Sequence, residues 1–174
     1  MSRYLLLTIT VAAVLGISPA NAAKKIEGKD KAFIEQAARE QLAEIALGQL
    51  AMKKGSDKKV KEFAAELVED HRYASEEAKA LSAKEGIYLP VEMDDRQKKE
   101  QQRLSRFSGR DFDKAFISHM LKKHRKDVQE LQKKTSALQN ENVKQWAETT
   151  EPILAVHLKK AETVAEALGV ADAK

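Results

Sequence analysis

Apolar residues return every three or four positions through four long stretches of this chain. In the first, Phe33, Ile34, Ala37, Ala38, Leu42, Ile45 and Met52 fall on one stripe, the spacing that an α-helix of 3.6 residues per turn converts into a single face. Asp30 stands where a helix cap belongs, and Lys53-Lys54 before Gly55 reads as a helix end. The second stretch opens at Ser56-Asp57, carries Val60, Phe63, Ala64, Leu67, His71, Ala74, Ala78 and Leu81, and stops at Gly86. The third begins at Ser108-Gly109-Arg110-Asp111, a serine followed three residues later by an acid. It carries Phe112, Phe116, Ile117, Met120, Leu121, His124, Val128 and Leu131. Asn140 caps the fourth, with Val143, Trp146, Ala147, Ile153, Leu154, His157, Leu158, Ala161, Val164 and Leu168 on its stripe and Gly169 at its end. Pro152 inside that stretch removes one ladder bond and predicts a kink.

Between the second and third stretches the period is lost. Ile87 to Met93 contains Pro90, and Asp94-Asp95 then opens a short charged helix running to about Phe107. A helix with one apolar stripe buries it only by pairing. The expected fold is therefore all-α, an antiparallel four-helix bundle over 31–169 whose short turns near Gly55 and Gln139 make two hairpins. The middle segment, with its short extra helix, is the crossover. Two hairpins joined by one crossover make the ferritin-like arrangement; an up-down bundle with a decorated loop is the alternative.

Ahead of a polar lead-in at 23–30, Arg3 precedes an apolar run from Tyr4 to Ile17, then Ser18-Pro19 and Ala20-Asn21-Ala22. This is the order of a secretory signal peptide over 1–22, and the apolar run is shorter than the ~20 residues of a membrane span. Cleavage after Ala22 leaves 152 residues, bound for the periplasm or the medium in a bacterial cell.

Composition narrows the chemistry. Seven Gly, three Pro and 5% aromatic residues do not suit a β-sandwich. The absence of cysteine removes disulfides, thiolate metal sites and thiol nucleophiles. With 31 Lys+Arg against 27 Asp+Glu the balance is only +4, so no nucleic-acid partner is expected. The basic runs Lys58-Lys59, Lys98-Lys99, Lys122-Lys123-His124-Arg125-Lys126 and Lys133-Lys134 alternate with acids and read as solvated helix faces. No phosphate-binding glycine loop, nucleophile-elbow serine or paired-histidine zinc motif is present.

The four histidines hold the candidate chemistry. His71, His124 and His157 continue the apolar stripes of three helices, whereas His119 lies about 140° around its helix from His124 and is expected to face solvent. The three stripe histidines fall near mid-bundle, and Glu44 occupies the corresponding depth on the first helix, beside Ala37, Gln41, Gly48 and Ala51. One carboxylate and three imidazoles at one level suit a divalent transition-metal ion, Zn, Fe, Cu or Ni. Asp70 would stand behind the ligands. The other reading is structural: buried histidines bonded to one another, to Glu44 or to the carbonyl freed by Pro152. A di-iron centre of the Glu-x-x-His kind does not fit, since Val68, Phe116, Leu121 and Leu154 precede the four histidines by three.

Four separated pieces carry a family likeness: Phe33-Ile34-Glu35-Gln36-Ala37-Ala38 with Glu44-Ile45-Ala46-Leu47-Gly48; Val60-Lys61-Glu62-Phe63-Ala64 with Asp70-His71; Phe112-Asp113-Lys114-Ala115-Phe116 with His124; and Pro152-Ile153-Leu154 with His157-Leu158. In this order, from about Lys31 to Leu168, the chain resembles a large bacterial family of exported ferritin-like proteins known as domain of unknown function 4142. The resemblance implies a ferritin-like bundle in the cell envelope without an established activity. It carries over Glu44, Asp70, His71, His124 and His157 as motif residues and supplies no proven ligand set.

The functional reading is thus an exported, non-enzymatic helical bundle, with one divalent ion on Glu44, His71, His124 and His157, in an envelope or stress-related role. The alternatives are a metal-dependent redox or metal-handling enzyme at the same centre, and an interaction module for another envelope protein or for a second copy of itself.

Overall fold

Five helices form where the periodicity places them. The computed structural model describes Ile26 and residues 28–170, so the expected signal peptide lies outside the described residues. Helix α1 spans Gly28–Lys54, α2 Lys58–Glu85, the short α3 Asp95–Ser105, α4 Gly109–Thr135 and α5 Glu141–Leu168. Local chemistry sets most of the ends. Asp57 accepts from the Lys59 and Val60 amides, Asp94 and Gln97 form a reciprocal capping box, and Asn140 accepts from the Asn142 and Val143 amides. Gly86 and Gly169 leave α2 and α5 in the left-handed conformation, at φ 67° and 65°.

Two expected caps behave differently. Ser108 precedes α4 but makes no side-chain capping bond. Asp30 does not cap α1, which begins at Gly28. Its buried carboxylate instead accepts from the backbone amides of Gln139 at 3.0 Å and Asn140 at 2.9 Å, in the α4–α5 turn. Asp113, near the start of α4, does the same for the other hairpin. It accepts from the amides of Ser56 at 3.0 Å and Asp57 at 2.9 Å and from the Ser56 hydroxyl. The first helix of each hairpin therefore holds the turn of the opposite hairpin.

These two clamps fix the direction of every helix. The start of α4 lies at the α1–α2 turn and the start of α1 at the α4–α5 turn, so α1 and α5 run one way and α2 and α4 the other. Helix α1 packs on α2 and α4, and α5 on α4 and α2. All neighbours around the ring are antiparallel, and the crossover brings the chain back along the bundle. This is the ferritin-like four-helix bundle. Helix α3 lies against α1 and α4, inserts the fully buried Leu104, and is tied to the end of α1 by Lys54 Nζ donating to the Ser105 carbonyl at 2.6 Å. No helix among the described residues is long and apolar enough to cross a membrane.

The apolar interior is divided. A large cluster, including Leu47, Phe63, Leu67, Phe112, Phe116, Ile117, Met120, Leu121 and Val164, fills the end near the α1–α2 turn. A smaller one, Ile26, Ile34, Ile87 and Val143, occupies the opposite end. Gly48 brings α1 close to α2, since a Cβ there would stand 2.7 Å from Val68 Cγ2 and 3.0 Å from the Ala64 carbonyl. Between the two clusters lies a layer of buried polar side chains: Gln41, Glu44, His71, His124 and His157.

The clamps are expected to contribute strongly to stability, because Asp113 is fully buried and its loss leaves two amides and a hydroxyl without an acceptor. Asp113→Ala should cost about 3 kcal/mol in urea unfolding. A loss below about 1 kcal/mol would show that water replaces the carboxylate and that the turn holds itself.

Candidate metal centre

The polar layer owes its composition to three helices that each turn one histidine inward. His124 and His157 are 0% exposed and His71 is 5% exposed. Their ring centroids stand 5.3 Å (His71–His157), 5.5 Å (His124–His157) and 6.4 Å (His71–His124) apart. One ring nitrogen from each lies within 4.8 Å of the others. Nitrogens sharing a zinc ion at ~2.0–2.1 Å lie within about 4 Å of one another, so ring movements of about 1 Å close the set.

Each imidazole is held by its other nitrogen. His71 Nδ1 bonds Gln41 Oε1 at 2.6 Å, His124 Nδ1 bonds the Met120 carbonyl at 3.0 Å, and His157 Nε2 bonds Asp70 Oδ2 at 2.8 Å. All three partners are acceptors, so each of these nitrogens carries the proton and donates. The lone pairs are left on His71 Nε2, His124 Nε2 and His157 Nδ1. None of these three buried nitrogens has a hydrogen-bond partner. The rings thus sit in the tautomers that metal ligation requires, each oriented by a carbonyl or carboxylate behind it.

Burial pushes the His71 imidazole down to about 3, against the pull of Glu44, and it lowers His124 in the same way. These two rings are therefore neutral at physiological pH and free to act as ligands.

Glu44 lies in the same layer, 1% exposed, with neither carboxylate oxygen hydrogen-bonded. Burial alone would raise it. The Lys123 ammonium, with the imidazoles of His124 and His71, outweighs that and holds the group down at about 2. Lys123 Nζ is 3.4 Å from Glu44 Oε1, 2.9 Å from Glu40 and 2.6 Å from Asp127. Glu44 is not among the ligand atoms within 4.8 Å of one another; it stands beside them as an ionised carboxylate.

Asp70 stands behind one of the rings, orienting His157 from the neighbouring helix. Two placements differ from the sequence expectation. Lys123, within a run read as solvated, has only 15% of its side chain exposed. Here the signal was Glu40 and Glu44, one turn apart on α1 and in need of a counter-charge. His119 does not simply face solvent: its side chain is 21% exposed and its Nδ1 lies 2.9 Å from Glu100 Oε1 on α3.

A cavity of ≈ 1200 Å³ opens between α1, α3 and α4, and His71, Glu44, Lys123 and His119 line it. It reaches toward the end where Phe33 meets Trp146 edge to face. The centre is thus approached from the α1–α4 side.

Metal-free protein is expected to lose stability as pH falls below about 6.5, the ordinary imidazole value, because the unfolded chain then takes up protons that folded His71 does not accept until about 3. Above that window the contribution is complete. Glu44, ionised down to about 2 when folded and to 4.5 otherwise, works only at lower pH. Urea unfolding between about pH 7.5 and 5 should show this slope, up to about 1.4 kcal/mol per pH unit from His71. His71→Gln should flatten it by that amount, and an unchanged slope would show that His71 is charged in the folded protein.

Comparison with known proteins agrees with this architecture. The crystal structure of a DUF305 fragment from Deinococcus radiodurans superposes with a TM-score of 0.68 at 13% sequence identity, covering 84% of this chain and 99% of that one. At that identity the likeness is one of fold. No curated protein matches the chain. The model of the domain of unknown function DUF4142 matches residues 16–164, most of the sequence. The chain belongs to the DUF4142 family.

Proposed function

We propose that this protein binds one divalent transition-metal ion through His71, His124 and His157, with Glu44 as the neighbouring carboxylate that offsets its charge. One observation carries the reading: His71, His124 and His157 bring one ring nitrogen each within 4.8 Å of the others, and each ring keeps a buried nitrogen that no hydrogen bond meets. A purely structural histidine cluster would satisfy its rings mutually or on Glu44. Here the rings and Glu44 leave each other's atoms unbonded, which is costly for buried groups. A cation satisfies them together.

Three imidazole nitrogens suit Zn, Cu, Ni or Fe better than Ca or Mg. Three protein ligands also leave a coordination position for water or another molecule. The proposed role is metal binding in the bacterial cell envelope after export, with cleavage of the signal peptide at Ala22.

The test is metal analysis of untagged protein from its native compartment. About one equivalent of tightly held ion is expected, and free ion at a hundred times Kd should stabilise the fold by about 2.7 kcal/mol. His124→Ala should abolish that tight binding. Less than about a tenth of an equivalent, with melting unchanged by Zn, Cu, Ni or Fe, would overturn the reading.

A further inference from the structure

The fourth histidine is arranged like the three inner ones, yet it lies outside their cluster. His119 Nδ1 faces the Glu100 carboxylate at 2.9 Å, so that nitrogen carries the proton and the lone pair stays on Nε2. That nitrogen is buried and has no hydrogen-bond partner. A carboxylate behind one nitrogen and an unmet lone pair on the other is the arrangement of a histidine prepared to bind a metal.

His119 and Glu44 line the same cavity. They come from α4 and α1, which pack directly against each other. Both Glu44 oxygens are buried and unbonded. Lys123 is the nearest cation, but it lies closer to Asp127 and Glu40 than to Glu44. Arg96 pairs with Glu40 as well, at 3.9 Å, so Asp127 and Glu44 share the lysine. Four unmet buried atoms gather on this part of the wall: two Glu44 oxygens, His71 Nε2 and His119 Nε2. All are acceptors. The unmet donors among the residues lining the cavity, Gln97 Nε2 and Trp146 Nε1, come from α3 and α5. A group of unmet, buried acceptors of this kind is satisfied by a cation.

We propose that Glu44 and His119 form a second divalent-cation site, on the cavity side of the three-imidazole centre. It takes the same borderline class of ion on one carboxylate oxygen and one imidazole nitrogen, with water from the cavity completing its coordination. Having two protein ligands, it binds more weakly than the inner centre. Glu44 lies beside both sites, so an ion held on the outer one is staged next to His71, the inner histidine that lines the cavity.

The proposal rests on the three-imidazole reading, and a zinc titration of the purified protein separates the two. Calorimetry with mass spectrometry under native conditions should count two zinc ions per chain, one tight and one weaker. His119→Ala should remove the weaker ion, or weaken it at least tenfold, while the tight ion stays. Glu44→Gln, close in shape to the native side chain, should weaken the same ion, which guards against a folding defect in either variant alone. His124→Ala should remove the tight ion. A single tight ion in the native protein, lost in His124→Ala and untouched in His119→Ala, overturns the second site alone. Two ions that both survive His119→Ala and Glu44→Gln overturn it as well. Native protein that binds no zinc, copper, nickel or iron overturns both proposals.

Discussion

Asp30 and Asp113 set the register on which everything else in the bundle depends. Each is a buried carboxylate on the first helix of one hairpin, and each receives the amides of the opposite hairpin's turn. Helices packed by apolar side chains alone can slide by a turn, about 5.4 Å, at modest cost. A carboxylate that must meet two particular amides cannot follow such a slide. The two clamps act at opposite ends, so they fix the level at which α2, α4 and α5 face one another. His71, His124 and His157 converge because that level is fixed.

The polar layer is then stabilised in halves. Each ring's outer nitrogen is satisfied by Gln41, the Met120 carbonyl or Asp70, which fixes its orientation and its tautomer. The inner nitrogens and the Glu44 oxygens are unsatisfied. The large apolar cluster beside the layer, with Phe63 edge to face against His157 at 6.3 Å, holds these groups in place despite that cost. A satisfied outer half and an unmet inner half is the pattern that the proposed ion would complete.

Much of this was legible in the sequence because it depends on helical phase. A period of 3.6 residues placed His71, His124 and His157 inside, and turn residues marked the helix ends at Asp57, Gly86, Asn140 and Gly169. Relations between distant segments were not legible. Asp30 stands at a helix start and looks like a local cap, although its amides are 109 and 110 residues away. Lys123 belongs to a basic run, and only the approach of α1 shows that Glu40 and Glu44 enclose it. The position of α3 beside α4, which gives His119 its partner Glu100, follows from the path of the crossover and leaves no periodic trace.

Asp70 links the interior to the outer face of the bundle. Its side chain is 45% exposed, while the ring it holds, His157, is 0% exposed. The electron density that His157 Nδ1 offers inward depends on how fully Asp70 accepts the proton at Nε2. Ionic strength, a neighbouring charge or a surface that covers Asp70 changes that acceptance without entering the bundle. The strength of one inner donor can therefore be tuned from outside, through a single bond across the α2–α5 seam.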